Sequence, residues 1–323
     1  MLLIDTDPGI DDALALCLAL RAPGATVVAV TTVAGNVPVA VATRNVARVL
    51  GVTRPVPPPV VAVGSAGPRA RPLVTASHVH GEDGLGGLGE CAGLDGRLRF
   101  PEAPLVSHPG DAADLIVRSA RQWGGELTIV ALGPLTNLAE AVDRDAAALR
   151  RVRDVVVMGG AIAVGGNVTA AAEFNVFVDP ESAARVLEAE LPLTLVPLDV
   201  TRQVVWRADA IARLAASPDP VARFAVAVAE RGLALAQRFG EAGVTMHDPL
   251  AVGVALDPAL VETVPLPVGV ETEGRLTRGM TVADRRGPSP SRALRPNCRV
   301  ALRVDATRFL TMLEEVLWQP RSA

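Results

Sequence analysis

The chain contains no lysine and no tyrosine, so its 31 basic residues are all arginines. Those two gaps exclude a Walker lysine, a Schiff-base lysine and a tyrosine acid. Cysteine is scarce as well: Cys17, Cys91 and Cys298 are odd in number, far apart and form no C-x-x-C pair. They read as buried or incidental thiols, which excludes a disulfide framework and a zinc cage. No uninterrupted apolar run approaches membrane-spanning length, and only four residues precede Asp5, so the expectation is a cytoplasmic protein. Without a secretory signal, Asn167-Val168-Thr169 is a chance match to a glycosylation acceptor. No G-x-S-x-G occurs, which removes the serine nucleophile elbow. Charge of either sign is not in excess: 31 basic against 35 acidic residues leave a net charge of -4. That balance gives no general attraction to nucleic acid or to an anionic membrane, and a small neutral or cationic ligand fits better.

What is present is apolar bulk. Half of the 323 residues are hydrophobic and a fifth are charged, a balance that supports a large core and excludes a mainly disordered chain. Length leans towards two domains, yet single α/β domains of this size are ordinary. With no linker, repeat or low-complexity block, the expectation is one domain over 1–323.

Strand and helix patterns alternate along the chain. Leu2 to Ile4 is a short apolar strand, and a helix follows from about Asp11 to Leu20. Thr26 to Thr32 is β-branched and predicts a strand, after which Val39, Ala42, Val46 and Val49 have helical spacing. Val60 to Val63 is a third strand. Gly, Pro and polar residues then dominate to about Pro109, a stretch long enough to predict a functional lid. Further on come a helix from Ala112 to Trp123, a strand from Leu127 to Ala131, a helix from Leu135 to Val142, and strands from Val152 to Met158 and Leu193 to Leu198. Asp209 to Phe239 reads as helical with a break at Pro218 and Pro220. Val261 to Thr272 and Arg275 to Val282 flank Gly274 like a hairpin, Arg299 to Val304 supplies another strand, and a helix closes the chain from Ala306 to Trp318. The fold class expected is α/β, an open and mainly parallel sheet with helices on both faces and a small antiparallel appendage.

The chemistry concentrates at the end of the first strand. Asp5, Asp7, Asp11 and Asp12 surround Pro8-Gly9, four aspartates in eight residues. In parallel α/β sheets ligands bind beyond the carboxyl ends of strands, where Asp7 would sit. The Pro8-Gly9 turn brings Asp12 back towards it, and hard oxygen donors converging in this way suit calcium or magnesium. Helix capping explains Asp11 or Asp12 separately. It does not explain four neighbouring carboxylates, whose repulsion needs a cation or protons to offset it. His247-Asp248-Pro249 is a second candidate, with capping by Asp248 as the alternative. Asn36, His78, His80, Asn167, Glu173 and Asn175 are turn residues one by one. Jointly they would recognise a polyol.

Together these segments resemble the inosine-uridine-preferring nucleoside hydrolase family. The residues that carry the likeness are Asp5-Thr6-Asp7-Pro8-Gly9-Ile10-Asp11-Asp12-Ala13, Thr31-Thr32-Val33-Ala34-Gly35-Asn36, His78-Val79-His80-Gly81-Glu82, Gly133-Pro134-Leu135-Thr136-Asn137, Met158-Gly159-Gly160, Glu173-Phe174-Asn175, His247-Asp248-Pro249 and Gly279-Met280-Thr281-Val282-Ala283-Asp284. The resemblance implies calcium-dependent cleavage of the N-glycosidic bond of ribonucleosides to ribose and free base, by a homodimer or homotetramer. By the same resemblance Asp7, Asp12, Asp248 and the Leu132 carbonyl ligate Ca2+, and Asp7 is the general base. Asp11, Asn36, Asn175 and Asp248 hold the 2' and 3' hydroxyls, and Asn167 and Glu173 the 5' hydroxyl. His247 and His80 face the base, Met158 and Phe174 line the pocket, and Asp5 orients the others. Broad-specificity members of the family carry tyrosines before His-Asp-Pro; this chain has none, and its Gly232 to Met246 segment looks shortened, which leaves the leaving-group donor open.

Two other classes compete. A haloacid-dehalogenase-like phosphatase also begins with D-x-D, here Asp5-Thr6-Asp7, but expects Thr or Val at Gly9 and a basic residue, usually lysine. A nucleoside-binding protein without catalysis would keep the ribose site, although Asp7 and His247 speak for hydrolysis. Gly84 to Gly89 fits G-x-G-x-x-G, but no strand precedes it and no helix follows. A flexible loop is the expectation there.

Overall fold

In the computed structural model, residues 1–93, 95–238, 240–286 and 295–318 are described. The strands are β1 (Leu2–Thr6), β2 (Val27–Thr32), β3 (Val60–Val63), β4 (Val106–Ser107), β5 (Thr128–Ala131), β6 (Asp154–Met158), β7 (Leu193–Val196), β8 (Val205–Arg207), β9 (Gly243–Thr245), β10 (Val261–Leu266), β11 (Val268–Val270), β12 (Thr281–Ala283) and β13 (Cys298–Val304). Nine of them form one sheet in the order β10-β13-β7-β6-β5-β1-β2-β3-β4. Every pair in it is parallel except β10 with β13.

Alternation along the strands divides the core into two layers. Ile4, Val130, Leu132, Val156 and Met158 face one of them, with helices Ile10–Arg21, Pro220–Arg238, His247–Leu256 and Ala306–Trp318. Leu3, Ile129, Ala131, Val155 and Val157 face the other, with helices Ala112–Trp123, Thr136–Leu149 and Pro180–Leu187. Both faces are covered, as strands that are apolar on both sides require. The chain runs outward from β1 through β2, β3 and β4, then returns to β5 on the opposite side of β1. The sheet therefore has its switch point between β1 and β5, and a crevice opens there at the strand ends.

The predicted elements are largely present, with three corrections. The predicted 261–282 hairpin is split: β10 leaves it to pair with β13, and only β11 pairs with β12. Pro267, which lacks an N–H, separates β10 from β11. The turn closes at Gly279, whose N–H donates to the Glu271 carbonyl at 2.7 Å and whose φ is +78°, and not at Gly274. The stretch predicted to be irregular contains β4 and a helical turn at Ser77–His80; two exposed residues carry no readable alternation. Helices Phe174–Val178 and Pro180–Leu187 were not predicted, being too short for a helical period to show. The predicted helix end at Phe239 lies outside the described residues. Among those residues, no helix is long and apolar enough to cross a membrane.

Candidate active site

β1 delivers Asp7 to the switch point, and the chain turns through Pro8-Gly9 into helix Ile10–Arg21. Asp5, Asp7 and Asp12 are fully buried, and Asp11 is half-buried. Asp12 is held by three donors: Thr6 Oγ1 at 2.6 Å, the Gly9 N–H at 3.0 Å and Asn36 Nδ2 at 3.1 Å. The Gly9 bond makes Asp12 a helix cap, so capping and a site role coincide in one side chain. Asp7 Oδ2 accepts from the Asn36 N–H at 2.6 Å, while Asp7 Oδ1 is buried without a partner.

The carboxylates of Asp11, Asp12 and Asp248 converge, with one oxygen of each within 4.8 Å of the others. Burial, then the like charges of Asp12 and Asp11, push Asp7 well above the usual carboxylate range. Asp248 is pushed up in the same way by burial and by Asp11, Asp12 and Asp7, and Asp11 rises to about 7, chiefly through burial and Asp12. Four acids so placed need protons or a cation. A buried carboxylate oxygen with no donor is a costly vacancy for a polar atom, and hard divalent ions such as calcium take such oxygens. The donor set therefore fits a divalent cation, and the oxygens that converge are those of Asp11, Asp12 and Asp248 rather than of Asp7.

Two loops close on Asp7 only because they carry glycine. A Cβ at Gly35 would stand 2.1 Å from Asp7 Oδ2 and 2.7 Å from Pro134, and one at Gly133 would stand 2.6 Å from Asp7 Oδ1. Gly35→Ala is expected to destabilise the protein by about 1–3 kcal/mol, as overpacking does, measured by denaturant unfolding. An unchanged midpoint would mean that Asp7 is free to move aside.

The other predicted residues fall around this centre. Asn175 donates through Nδ2 to the carbonyls of Leu132 at 2.6 Å and Met158 at 3.2 Å, tying the ends of β5 and β6 together. A carbonyl has two lone pairs, so Leu132 retains one for a further partner. Glu173 caps helix Phe174–Val178, accepting from the N–H groups of Asn175 at 2.9 Å and Val176 at 3.2 Å, and from Gly160 at 3.0 Å. Asn167 is exposed and accepts the Phe174 N–H at 2.9 Å.

His80 packs against the aspartate turn itself. His80 Nδ1 accepts the Ile10 N–H at 3.0 Å, which places its ring proton on Nε2. A Cβ on Gly9 would meet that ring at 2.6 Å. His247 follows β9, at the start of helix His247–Leu256, and its Nδ1 shares a 2.7 Å hydrogen bond with Thr201 Oγ1. Burial lowers both imidazoles to about 4, so both are neutral at pH 7; the Arg202 guanidinium adds to the lowering of His247. His78 is exposed.

Some contacts behind the site join residues that the sequence does not pair, although Asp5, Thr31 and Asn137 all stand in the segments that resemble the family. Asp5 Oδ1 accepts from Thr31 Oγ1 at 2.6 Å and from Asn137 Nδ2 at 2.7 Å, across 132 residues in the second case. Asn45 and Arg48 are buried in helix Val39–Thr53, with bonds to the Asp83 and Gly89 carbonyls. The signal for Asn45 was its place on the stripe of Ala42, Val46 and Val49, where a polar side chain needs a partner. The Gly84 to Gly89 segment also differs from a loose loop: Leu85 and Leu88 join the core, and Asp83 accepts the N–H groups of Leu85, Gly87 and Gly89.

A model of the inosine-uridine preferring nucleoside hydrolase family matches residues 2–311. The chain is 36% identical to the pyrimidine-specific ribonucleoside hydrolase RihA of Salmonella gallinarum over 318 residues, which are 98% of this chain and 97% of the relative. Its fold is similar to that of a purine-preferring ribonucleoside hydrolase from Gardnerella vaginalis, with a TM-score of 0.87 at 29% identity over 98% of this chain and 97% of the other. An inosine-guanosine nucleoside hydrolase is alike to the same degree, with a TM-score of 0.87 at 30% identity over 99% of both chains.

Proposed function

The chain belongs to the inosine-uridine preferring nucleoside hydrolase family, and from that premise we propose that it hydrolyses the N-glycosidic bond of ribonucleosides with the help of Ca2+. The observation that carries the reading is the gathering of Asp7, Asp11, Asp12 and Asp248 in one buried place, with Asp7 Oδ1 unpartnered. Asp7, Asp12, Asp248 and the Leu132 carbonyl would hold the ion. When bound, calcium supplies the positive charge that lowers the pKa of a water and steadies adjacent sugar hydroxyls.

The residues divide the rest of the work. Asp7 Oδ1 takes the proton of the water that attacks the anomeric carbon. Asp11, Asn36, Asn175 and Asp248 hydrogen-bond the 2' and 3' hydroxyls, and Glu173 and Asn167 hold the 5' hydroxyl. As the base leaves, positive charge develops on the sugar, and an acidic surround stabilises it. Met158 and Phe174 line the pocket. His247 and His80, both neutral, offer hydrogen bonds to the departing base.

The base itself is not inherited from the relatives, whose names carry opposite preferences. A phosphatase reading fits less well: the charges acting on Asp7 are those of Asp12 and Asp11, so a phosphoryl group would meet like charge.

A reducing-sugar assay over purine and pyrimidine nucleosides, with and without chelator, tests reaction class and metal need together. His247→Ala is expected to lower kcat by about a hundredfold for bases that leave poorly and by less for bases that leave well, the size of a lost acid–base partner. An equal loss across all bases would remove His247 from the leaving-group role. Nucleoside binding without ribose release at saturating calcium would favour a binding protein instead.

A further inference from the structure

We infer that Asn45 is a positioning residue that locks the 80–90 segment of the lid onto the aspartate turn. It lies wholly buried on helix Val39–Thr53, and its side-chain hydrogen bonds go to Pro8, Asp83 and Arg48 rather than to the acids or histidines of the proposed site. Its Nδ2 donates in two directions, to the Pro8 carbonyl at 3.0 Å and to the Asp83 carbonyl at 2.8 Å. Pro8 lies between Asp7 and the start of the first helix, and Asp83 lies three residues beyond His80. One amide thus spans the catalytic turn and the lid.

The amide is itself fixed. Arg48 Nη1 donates to Asn45 Oδ1 at 3.0 Å, which settles which end of the amide points at the two carbonyls. The Arg48 guanidinium is held in turn by Glu102 at 2.9 Å and by the Gly89 carbonyl at 3.3 Å, so the same arginine also reaches the far end of the lid segment. Asp83 passes the anchorage along the loop by accepting the N–H groups of Leu85 at 3.1 Å, Gly87 at 2.8 Å and Gly89 at 2.7 Å. Close approach is built in at Gly84: its φ is +75°, and a Cβ there would stand 2.7 Å from Asn45 Nδ2 and 2.8 Å from the Pro8 carbonyl. The second tie between lid and turn is the bond from the Ile10 N–H to His80. With Asn45 in place the lid has two anchors on the turn, and His80 keeps a fixed distance from the acids. Without it, the bond from Ile10 to His80 is the hydrogen bond left between turn and lid among the described residues.

The consequence for turnover rests on the nucleoside hydrolase reading; the consequence for the lid does not. Asn45→Asp keeps the shape, retains an acceptor for Arg48 and replaces the one NH2 that donates to both carbonyls by a single oxygen that repels them. Amide hydrogen exchange at Leu85, Gly87 and Gly89 is expected to quicken by about tenfold or more, while Ile4 in β1 and Val130 in β5 keep their protection. KM for nucleosides is expected to rise by about tenfold, with kcat changing less. Gly84→Ala approaches the same contact from the lid side and should reproduce the pattern if Asn45→Asp folds poorly. Unchanged lid exchange and KM in both variants would overturn the inference, as would faster exchange spread evenly over lid, β1 and β5. If the wild-type protein cleaves no nucleoside, the functional reading falls and the exchange measurement alone decides the role of Asn45.

Discussion

Replacing Asp7 by asparagine is expected to lower kcat/KM for every cleaved nucleoside by about a thousandfold or more, the upper part of the range for general base catalysis. The substitution preserves volume, which matters where Gly35 and Gly133 leave no slack around the carboxylate. Asn36 fixes the orientation of the replacement: its N–H donates to Oδ2 at 2.6 Å, so the new amide oxygen takes that position and the NH2 falls where Oδ1 stood. The unpartnered acceptor becomes a donor. A water can then neither give up its proton there nor share the position with a cation. Kinetics with two or more nucleosides, beside a thermal melt showing a folded variant, check the prediction. Full activity in Asp7→Asn or Asp7→Ala would sink the mechanism.

The second large effect concerns the ion and has a pH signature. In the metal-free protein burial pushes Asp5 up to about 6 and Asp11 to about 7, and Asp7 and Asp248 are raised well above the ordinary carboxylate value. A carboxyl whose folded pKa exceeds its unfolded value, about 4, contributes stability that is fully present below about 4 and is lost as pH rises through the folded value. Chelated protein should therefore melt at a lower temperature at pH 8 than at pH 5.5. A bound cation favours the ionised carboxylates and reverses that penalty, so the gain in Tm on adding calcium should grow with pH, and binding should release protons. Melting curves with chelator and with calcium from pH 5.5 to 8 measure this, as does calorimetry in buffers of different ionisation enthalpy. An equal calcium shift at both ends of the range would mean that these acids do not hold the ion. Cleavage of nucleosides should vanish with the chelator and return with calcium.

Much of this arrangement was legible in the sequence. Asp7 could be placed because an apolar strand ending in Asp-Thr-Asp-Pro-Gly before a helical run fixes a strand-end turn. Val60 to Val63 and Ala112 to Trp123 agree to the residue, since strong periodicity and clear boundaries coincide there. The unread part consists of contacts made over long separations. Nothing near Asp5 announces Asn137, 132 residues away, and nothing near Pro8 announces Asn45 or Asp83. The division of labour among the aspartates was equally hidden. Capping and ligation look alike in a sequence, and Asp7 is set apart from Asp12 only by counting the donors that reach each oxygen.

The approach of Gly35 and Gly133 to Asp7 also bears on how such a site can diversify. Beside Asp7, the proposed general base, Gly35 and Gly133 leave no room for a side chain, so variation there removes the enzyme before it alters it. The residues proposed to face the base, His80 and His247, are side chains that can be exchanged one at a time. A scaffold divided in this way can hold its reaction constant while its choice of base drifts, and mutational libraries aimed at new bases belong on the lid side alone.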